Sequence, residues 1–164
     1  MKPWVLIIMG SDSDAETMSQ AAAALDETGV PYEFTVASAH RSPERTKTII
    51  TEAEANGAVV FIAGAGMAAH LPGVVASLTT HPVIGVPLAS GALQGLDALY
   101  AIVQMPPGIP VATVAIGGAR NAGILAAQIV ATCDADLAAR LRAQRGAMAE
   151  AVAAKSKKVE KSTR

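Results

Sequence analysis

The stretch ASAHRSPER, residues 37–45, sets a titratable base beside a permanent cation. An imidazole such as that of His40 can give or take a proton near neutral pH. The guanidinium of Arg41 is a planar fork that matches a phosphate or a carboxylate. A second polar cluster is Gly10-Ser11-Asp12-Ser13-Asp14. Gly10 permits a tight turn and a close approach to a ligand, and Ser11 and Ser13 bring hydroxyls. The free N–H groups of a following helix favour an anion. Asp14 would repel a phosphate but suits a ribose diol. The same residues also read as a helix cap with a carboxylate complementing the helix dipole. No Gly-Lys-Ser/Thr follows, so this is neither a Walker A loop nor a dinucleotide fingerprint. A third cluster is the small-residue run 64–69, closed by His70. It leaves room for a flat ligand against bare backbone. His70 reads as a second acid/base or as a helix-start residue that binds through its backbone.

Other reactive residues point to less. His81, before Pro82, reads as a surface group. No His, Cys or carboxylate pair has metal-ligand spacing, so no metal is expected. There is no GxSxG elbow. The one cysteine, Cys133, reads as a small buried hydrophobe in a helix, and a lone cysteine fits a reducing compartment.

These groups need a scaffold, and the hydrophobic pattern supplies one. Strands are expected at Trp4–Met9, Glu33–Ala37, Val59–Ala63, Val83–Val86 and Val111–Ile116. Helices are expected at Ala15–Glu27, Pro43–Asn56, Leu71–Leu78, Leu96–Gln104, Asn121–Thr132 and Ala135–Ala154. Ser42 reads as the cap before Pro43, and Gly29 as the stop after the first helix. Strand and helix alternate, which predicts an α/β fold with a five-stranded parallel sheet. The arrangement expected is flavodoxin-like and three-layered, α/β/α, in strand order 2-1-3-4-5, with an extra C-terminal helix. The chain of 164 residues fits one domain, 1–154, with a polar, Lys-rich tail at 155–164 that is a frayed helix end or disordered. Only 3% of the residues are aromatic while 51% are hydrophobic, which suits β-branched strands under Ala-rich helices. A net charge of −1 gives no general pull toward nucleic acid and favours a small-molecule partner. The run WVLIIM is too short to span a membrane and turns acidic at once, without a signal-peptide pattern. A cytoplasmic protein is expected.

In such sheets, ligands bind at the carboxyl ends of the strands. The polar and Gly-rich clusters 10–14, 38–42, 64–70, 87–91 and 117–121 each follow an expected strand. All therefore fall on one sheet edge. The residues alone support a phosphorylated, ribose-bearing small molecule with His40 as proton carrier. They do not name the reaction.

The motifs MGSDSD (9–14), SAHRSPER (38–45), AGAGMAAHLPGVVAS (63–77), PVIGVP (82–87) and GLDALYAIVQMPPGIPVATVAIG (95–117) resemble the class I PurE family. Its members are N5-carboxyaminoimidazole ribonucleotide (N5-CAIR) mutases of de novo purine synthesis. The resemblance implies transfer of a carboxylate from the exocyclic nitrogen to ring carbon C4, through CO2 held in a closed site. It implies that His40 shuttles the proton. Arg41, helped by Ser11 and Ser38, would anchor the phosphate, and Asp14 would accept from the ribose hydroxyls, with Ser13 in the same loop. Gly64, Ala65, Gly66, Ala68, Ala69, His70 and Leu71 would form the pocket that keeps CO2 dry. It implies no metal or organic cofactor, and a homo-octamer with sites where subunits meet. Two departures stand out. Met67 occupies a place where many relatives have glycine. The stretch IGGARNA, 116–122, is two residues shorter than usual and lacks a lysine, a charge that Arg120 could replace from another place. The rival readings are a class II AIR carboxylase using free CO2 and a non-catalytic nucleotide-binding flavodoxin-like module. The run AAHLPG, 68–73, favours class I. A response regulator would want an acidic residue after the third strand, where Gly64-Ala65-Gly66 stands.

Overall fold

The computed structural model describes residues 3–162, with side chains through residue 160. Residues 1–2 and 163–164, the ends of the N-terminal stretch and of the polar tail, lie outside the described residues. The run WVLIIM forms strand β1 (Trp4–Met9), buried from Val5 onward. Successive side chains of a strand point to opposite faces. Val5, Ile7 and Met9 accordingly enter one apolar cluster, and Leu6 and Ile8 the other. A strand covered on both faces must be apolar throughout, which is why this run shows no alternation.

Strand β1 lies between β2 (Tyr32–Val36) and β3 (Ala58–Gly66); β4 (Val83–Leu88) and β5 (Ala112–Thr113) complete the sheet beyond β3. All pairs are parallel and the order is β2-β1-β3-β4-β5, as the sequence predicts. One face is covered by α1 (Ala15–Thr28), α5 (Ala119–Val130) and the start of α6 (Ala135–Ser162). The other carries α2 (Pro43–Ala55), α3 (Leu71–Leu78) and α4 (Leu96–Val103). The small residues of α5 serve close packing within the chain. A Cβ on Gly123 would stand 2.9 Å from Ala24 Cβ and 3.1 Å from Ala21 Cα in α1. At the far end of α1, Gly29 takes a left-handed conformation, φ 72, and closes the helix as expected. The Arg140 and Gln144 side chains of α6 donate to the carbonyls of Thr28 and Glu27, at 3.3 and 3.4 Å. These bonds cover acceptors that a helix end leaves unpaired. Helix α6 runs on through Ser162, and its described side chains from Arg145 to Glu160 are exposed.

Four expectations change. Strand β3 continues past Ala63 through Gly64-Ala65-Gly66, which pair with Val86, Pro87 and Leu88 of a correspondingly longer β4. Strand β5 shrinks to two residues at the sheet edge. Ser42 stands at the cap position before Pro43, but its hydroxyl does not cap α2; it donates to the Ser38 carbonyl at 3.0 Å and accepts from the Ser38 N–H at 3.2 Å. Cys133 is exposed rather than buried, because the chain makes a short 3-10 turn at Ala131–Cys133 between α5 and α6.

Gly64 shows why β3 is built from such small residues. A Cβ there would collide with the thioether of Met18, which is fully buried in α1. A Gly64→Ala change is expected to cost about 1–3 kcal/mol by overpacking. Thermal unfolding would read this as a melting temperature several degrees lower. An unchanged melting temperature would mean that Met18 has room to swing aside.

Candidate active site

The carboxyl ends of β1, β2, β3 and β4 surround an open cleft of about 390 Å³. From the turn after β1 come Gly10, Ser11, Ser13 and Asp14. From the loop after β2 come Ser38, His40 and Arg41. The end of β3 and the residues beyond it give Ala65, Gly66, Met67 and Ala68, and the exit of β4 gives Ser90.

The first wall is a 3-10 turn, Asp12–Asp14, leading into α1. The Ser11 hydroxyl accepts from the Ser13 N–H at 3.4 Å and the Ser13 hydroxyl at 2.9 Å, and donates to Asp12 Oδ1 at 3.1 Å. The capping role weighed for this loop thus belongs to Ser11, on the 3-10 turn. Asp14 makes no side-chain cap bond to α1. Partial burial pushes its carboxyl above the usual range, the Ser11 backbone hydrogen bond works against this, and the charge of Asp12 adds to the rise.

The second wall is tied to the first by Arg41. Its Nη2 donates to the Gly10 carbonyl at 3.1 Å, and its Nε and backbone N–H reach the Ser38 hydroxyl at 3.4 and 3.2 Å. A guanidinium has five N–H donors. Two side-chain nitrogens anchor the fork, and the remaining donors are left for an anion in the cleft. Ser42 closes a tight ring with Ser38 and so fixes the loop that presents His40 and Arg41.

His40 Nε2 lies 2.8 Å from His70 Nδ1, with the ring planes at 87°. Two nitrogens this close cannot both carry a hydrogen toward each other, so one ring donates and the other accepts, according to their tautomers. His70 is not among the residues lining the cleft; it is exposed beside His40, at the N-cap position of α3.

Not every residue expected at the site reaches it. Gly64 is inside the β3 ladder and faces Met18. Ala69, just before α3, and Leu71, its first residue, are buried in the core. Gly10 lines the cleft, in keeping with the close approach expected of it, and Met67 lines it where many relatives have glycine. Ser90 lines it as well, and its signal in the sequence was position alone, just past the end of a strand. Arg120 does not bring its charge to the cleft. It makes a bidentate pair with Glu27 at 3.0 and 2.7 Å on the exposed α1–α5 surface, and this pair holds the Glu27 carboxyl below its usual range. His81 is a partly exposed surface group, as expected, 3.7 Å from Glu54. It lies at the other end of the sheet, in a larger hollow of about 470 Å³ where it is the one titratable lining residue. Among the described residues no three His, Cys, Asp or Glu side chains gather in one place.

A hydrogen-bonded imidazole pair, an anchored guanidinium and a partly buried carboxylate can together bind a phosphorylated ribonucleoside and move one proton on it. Comparison with known proteins agrees with that chemistry. The N5-carboxyaminoimidazole ribonucleotide mutase of Pyrococcus horikoshii is 55% identical over 159 residues, 97% of this chain and 90% of that protein. The phosphoribosylaminoimidazole carboxylase of Schizosaccharomyces pombe is 54% identical over 97% of this chain, which corresponds to 29% of that longer protein. The crystal structure of Treponema denticola PurE superposes with a TM-score of 0.88 at 30% identity, covering 95% of this chain and 98% of that one. Residues 4–151 match the family described as AIR carboxylase, and the chain belongs to that family.

Proposed function

We propose that this chain is an N5-CAIR mutase, an isomerase that converts N5-CAIR to 4-carboxy-5-aminoimidazole ribonucleotide (CAIR) in purine synthesis. The observation that carries the reading is the 2.8 Å contact between His40 and His70 on a cleft whose neighbouring lining residue is Arg41. In the reaction the bond from the exocyclic nitrogen to the carboxylate breaks and CO2 forms. The nitrogen takes a proton from His40. Ring carbon C4 then attacks CO2, and the C4 proton returns to His40. Protons balance over the cycle, as general acid–base work by one residue requires. The bond to His70 holds the His40 ring in place for both transfers.

Arg41 holds the substrate phosphate, with the Ser11, Ser13 and Ser38 hydroxyls beside it. Charge-assisted bonds of this kind are the strong ones. Asp14 takes the ribose hydroxyls, neutral donors that bring no further charge to a carboxyl already raised by burial and by Asp12. Ala65, Gly66 and Ala68 give the flat floor, while Gly64, Ala69 and Leu71 support it from within the fold. Residues 1–154 act as the catalytic unit and 155–164 as an appended polar segment. We place the protein in the cytoplasm; no described helix is long and apolar enough to cross a membrane. We also infer a homo-octamer. The exposed apolar side chains Leu93, Leu96, Tyr100 and Val103, on α4 and the loop before it, support contact between copies.

The test is turnover of purified protein on N5-CAIR, with aminoimidazole ribonucleotide plus bicarbonate in parallel. Fast conversion of the first and little of the second is expected. The reverse preference would assign a carboxylase that takes CO2 from solution. Activity with neither would leave a nucleotide-binding module.

A further inference from the structure

The two sides of the cleft differ in what they offer a ligand. The β1 and β2 side carries the donors Ser11, Ser13, Ser38, His40 and Arg41, whereas the β3 and β4 side has small or apolar residues and one hydroxyl, Ser90. On the first side the chain already engages its own groups. Ser13 donates to Ser11, Ser11 to Asp12, and Arg41 to the Gly10 carbonyl. The Ser90 hydroxyl oxygen is different. It is shut off from solvent and, among the described residues, has no hydrogen-bond partner. Most buried polar side-chain atoms have one, and an exception calls for a reason. The enclosure comes from the chain itself, since the oxygen is pressed against Gly66, where a Cβ would stand only 2.7 Å from it. The backbone on either side is fixed. Leu88, two residues earlier, pairs with Gly66 in the ladder, and Gln94 Nε2 donates to the Gly91 carbonyl at 2.7 Å, closing the turn that follows.

We propose that Ser90 donates a hydrogen bond to the carboxylate of the nucleotide and so selects the carboxylated ring over the bare aminoimidazole. The proposal rests on the mutase reading. In that reading Arg41 and the hydroxyls beside it take the phosphate, and Asp14 takes the ribose, all on the β1 and β2 side. The ring and its carboxylate then fall toward β3 and β4. An ionised carboxylate only accepts hydrogen bonds, and bonds to an ionised group are the stronger kind. Ser90 is the one side-chain donor lining that part of the cleft. One rotation about its Cα–Cβ bond, between staggered positions, turns the hydroxyl from Gly66 to the ligand. The carboxylate oxygen supplies the acceptor that the folded chain does not. The ring carbon bearing the exocyclic nitrogen is next to C4, so a single donor serves the carboxylate of substrate and product alike.

The experiment compares equilibrium binding of CAIR and of aminoimidazole ribonucleotide, which lacks the carboxylate, to the wild-type protein and to two variants. Wild-type protein binds CAIR more tightly. Ser90→Ala loses roughly 10–100-fold in CAIR affinity, the range for one bond to a charged group, and keeps its affinity for aminoimidazole ribonucleotide. Its melting temperature holds or rises, because an unpaired buried hydroxyl has been removed. Ser90→Thr keeps the hydroxyl and with it the preference for CAIR. In steady-state kinetics Ser90→Ala raises the KM for N5-CAIR by a similar factor. Unchanged CAIR affinity in Ser90→Ala would overturn the contact and leave the mutase reading standing. An equal loss for both nucleotides would also overturn it, since a displaced loop and not a missing donor would be the cause. So would loss of the preference in Ser90→Thr equal to that in Ser90→Ala. Failure of the wild-type protein to bind either nucleotide would remove the mutase reading and this contact together.

Discussion

A His40→Asn variant folds, binds substrate and turns it over some 10²–10⁴-fold more slowly, the range that a positioned acid/base contributes. Asparagine keeps a comparable size and a hydrogen-bonding amide, but it has no proton to exchange. Because His40 is exposed at the cleft, its replacement removes little packing. The bond to His70 is lost, yet His70 is also exposed and water can take the vacated place. The loss should therefore fall on kcat, with the melting temperature and substrate affinity nearly unchanged. Steady-state kinetics beside equilibrium binding would separate the two. Retained turnover would take His40 out of the mechanism and leave its contact with His70 as a structural bond.

Arg41→Ala should show the opposite division. A charge-assisted hydrogen bond is worth about 1.5–3 kcal/mol, so losing the phosphate anchor raises KM by roughly 10–100-fold. Part of that loss is indirect. The same guanidinium ties the Ser38 loop to the Gly10 carbonyl, so its removal also frees the two walls from each other. Arg41→Lys keeps the charge without the fork and should recover only part of the affinity. Inorganic phosphate, tested as a competitor, should inhibit the wild-type protein and lose that effect in Arg41→Ala. An unchanged KM in Arg41→Ala would contradict the anchor.

The layout of the sheet was legible because β1, β3 and β4 are apolar without interruption and the helices between them carry their own punctuation. Pro43 and Gly29 stand where a helix begins and where one stops, for reasons local to each residue. The length of β3 was not legible. Gly64-Ala65-Gly66 has loop composition, and only its partners Val86, Pro87 and Leu88 make it strand. Cys133 escaped for a similar reason, since nothing in its neighbours marks the turn that exposes it. At the site, the three clusters around Ser11, His40 and Gly66 were readable from their types and from the rule about strand ends. The contact of His40 with His70 was not, because it spans 30 residues of sequence and forms only when β2 and β3 flank β1. Which small residues face the cleft is equally a matter of register. Alternation turns Gly64 toward Met18, and the end of the ladder releases Met67 and Ala68 toward the ligand side.

The cleft draws on four consecutive strand ends, from Gly10 to Ser90, and no two neighbouring strands of the sheet are joined by a hairpin. Parallel strands can pair only after the crossover between them has formed, so their pairing is non-local and slow. Helices such as α1 and α5 require no such wait. On dilution from denaturant, the far-ultraviolet helical signal should return first and catalytic activity only later. Simultaneous recovery of the two signals would mean instead that sheet and helices form in a single concerted step. Turnover in this protein is therefore a clock for the last strand pairings, and a chain arrested during synthesis after α2 would already contain His40 and Arg41 without the β3 and β4 edges that give them something to act upon.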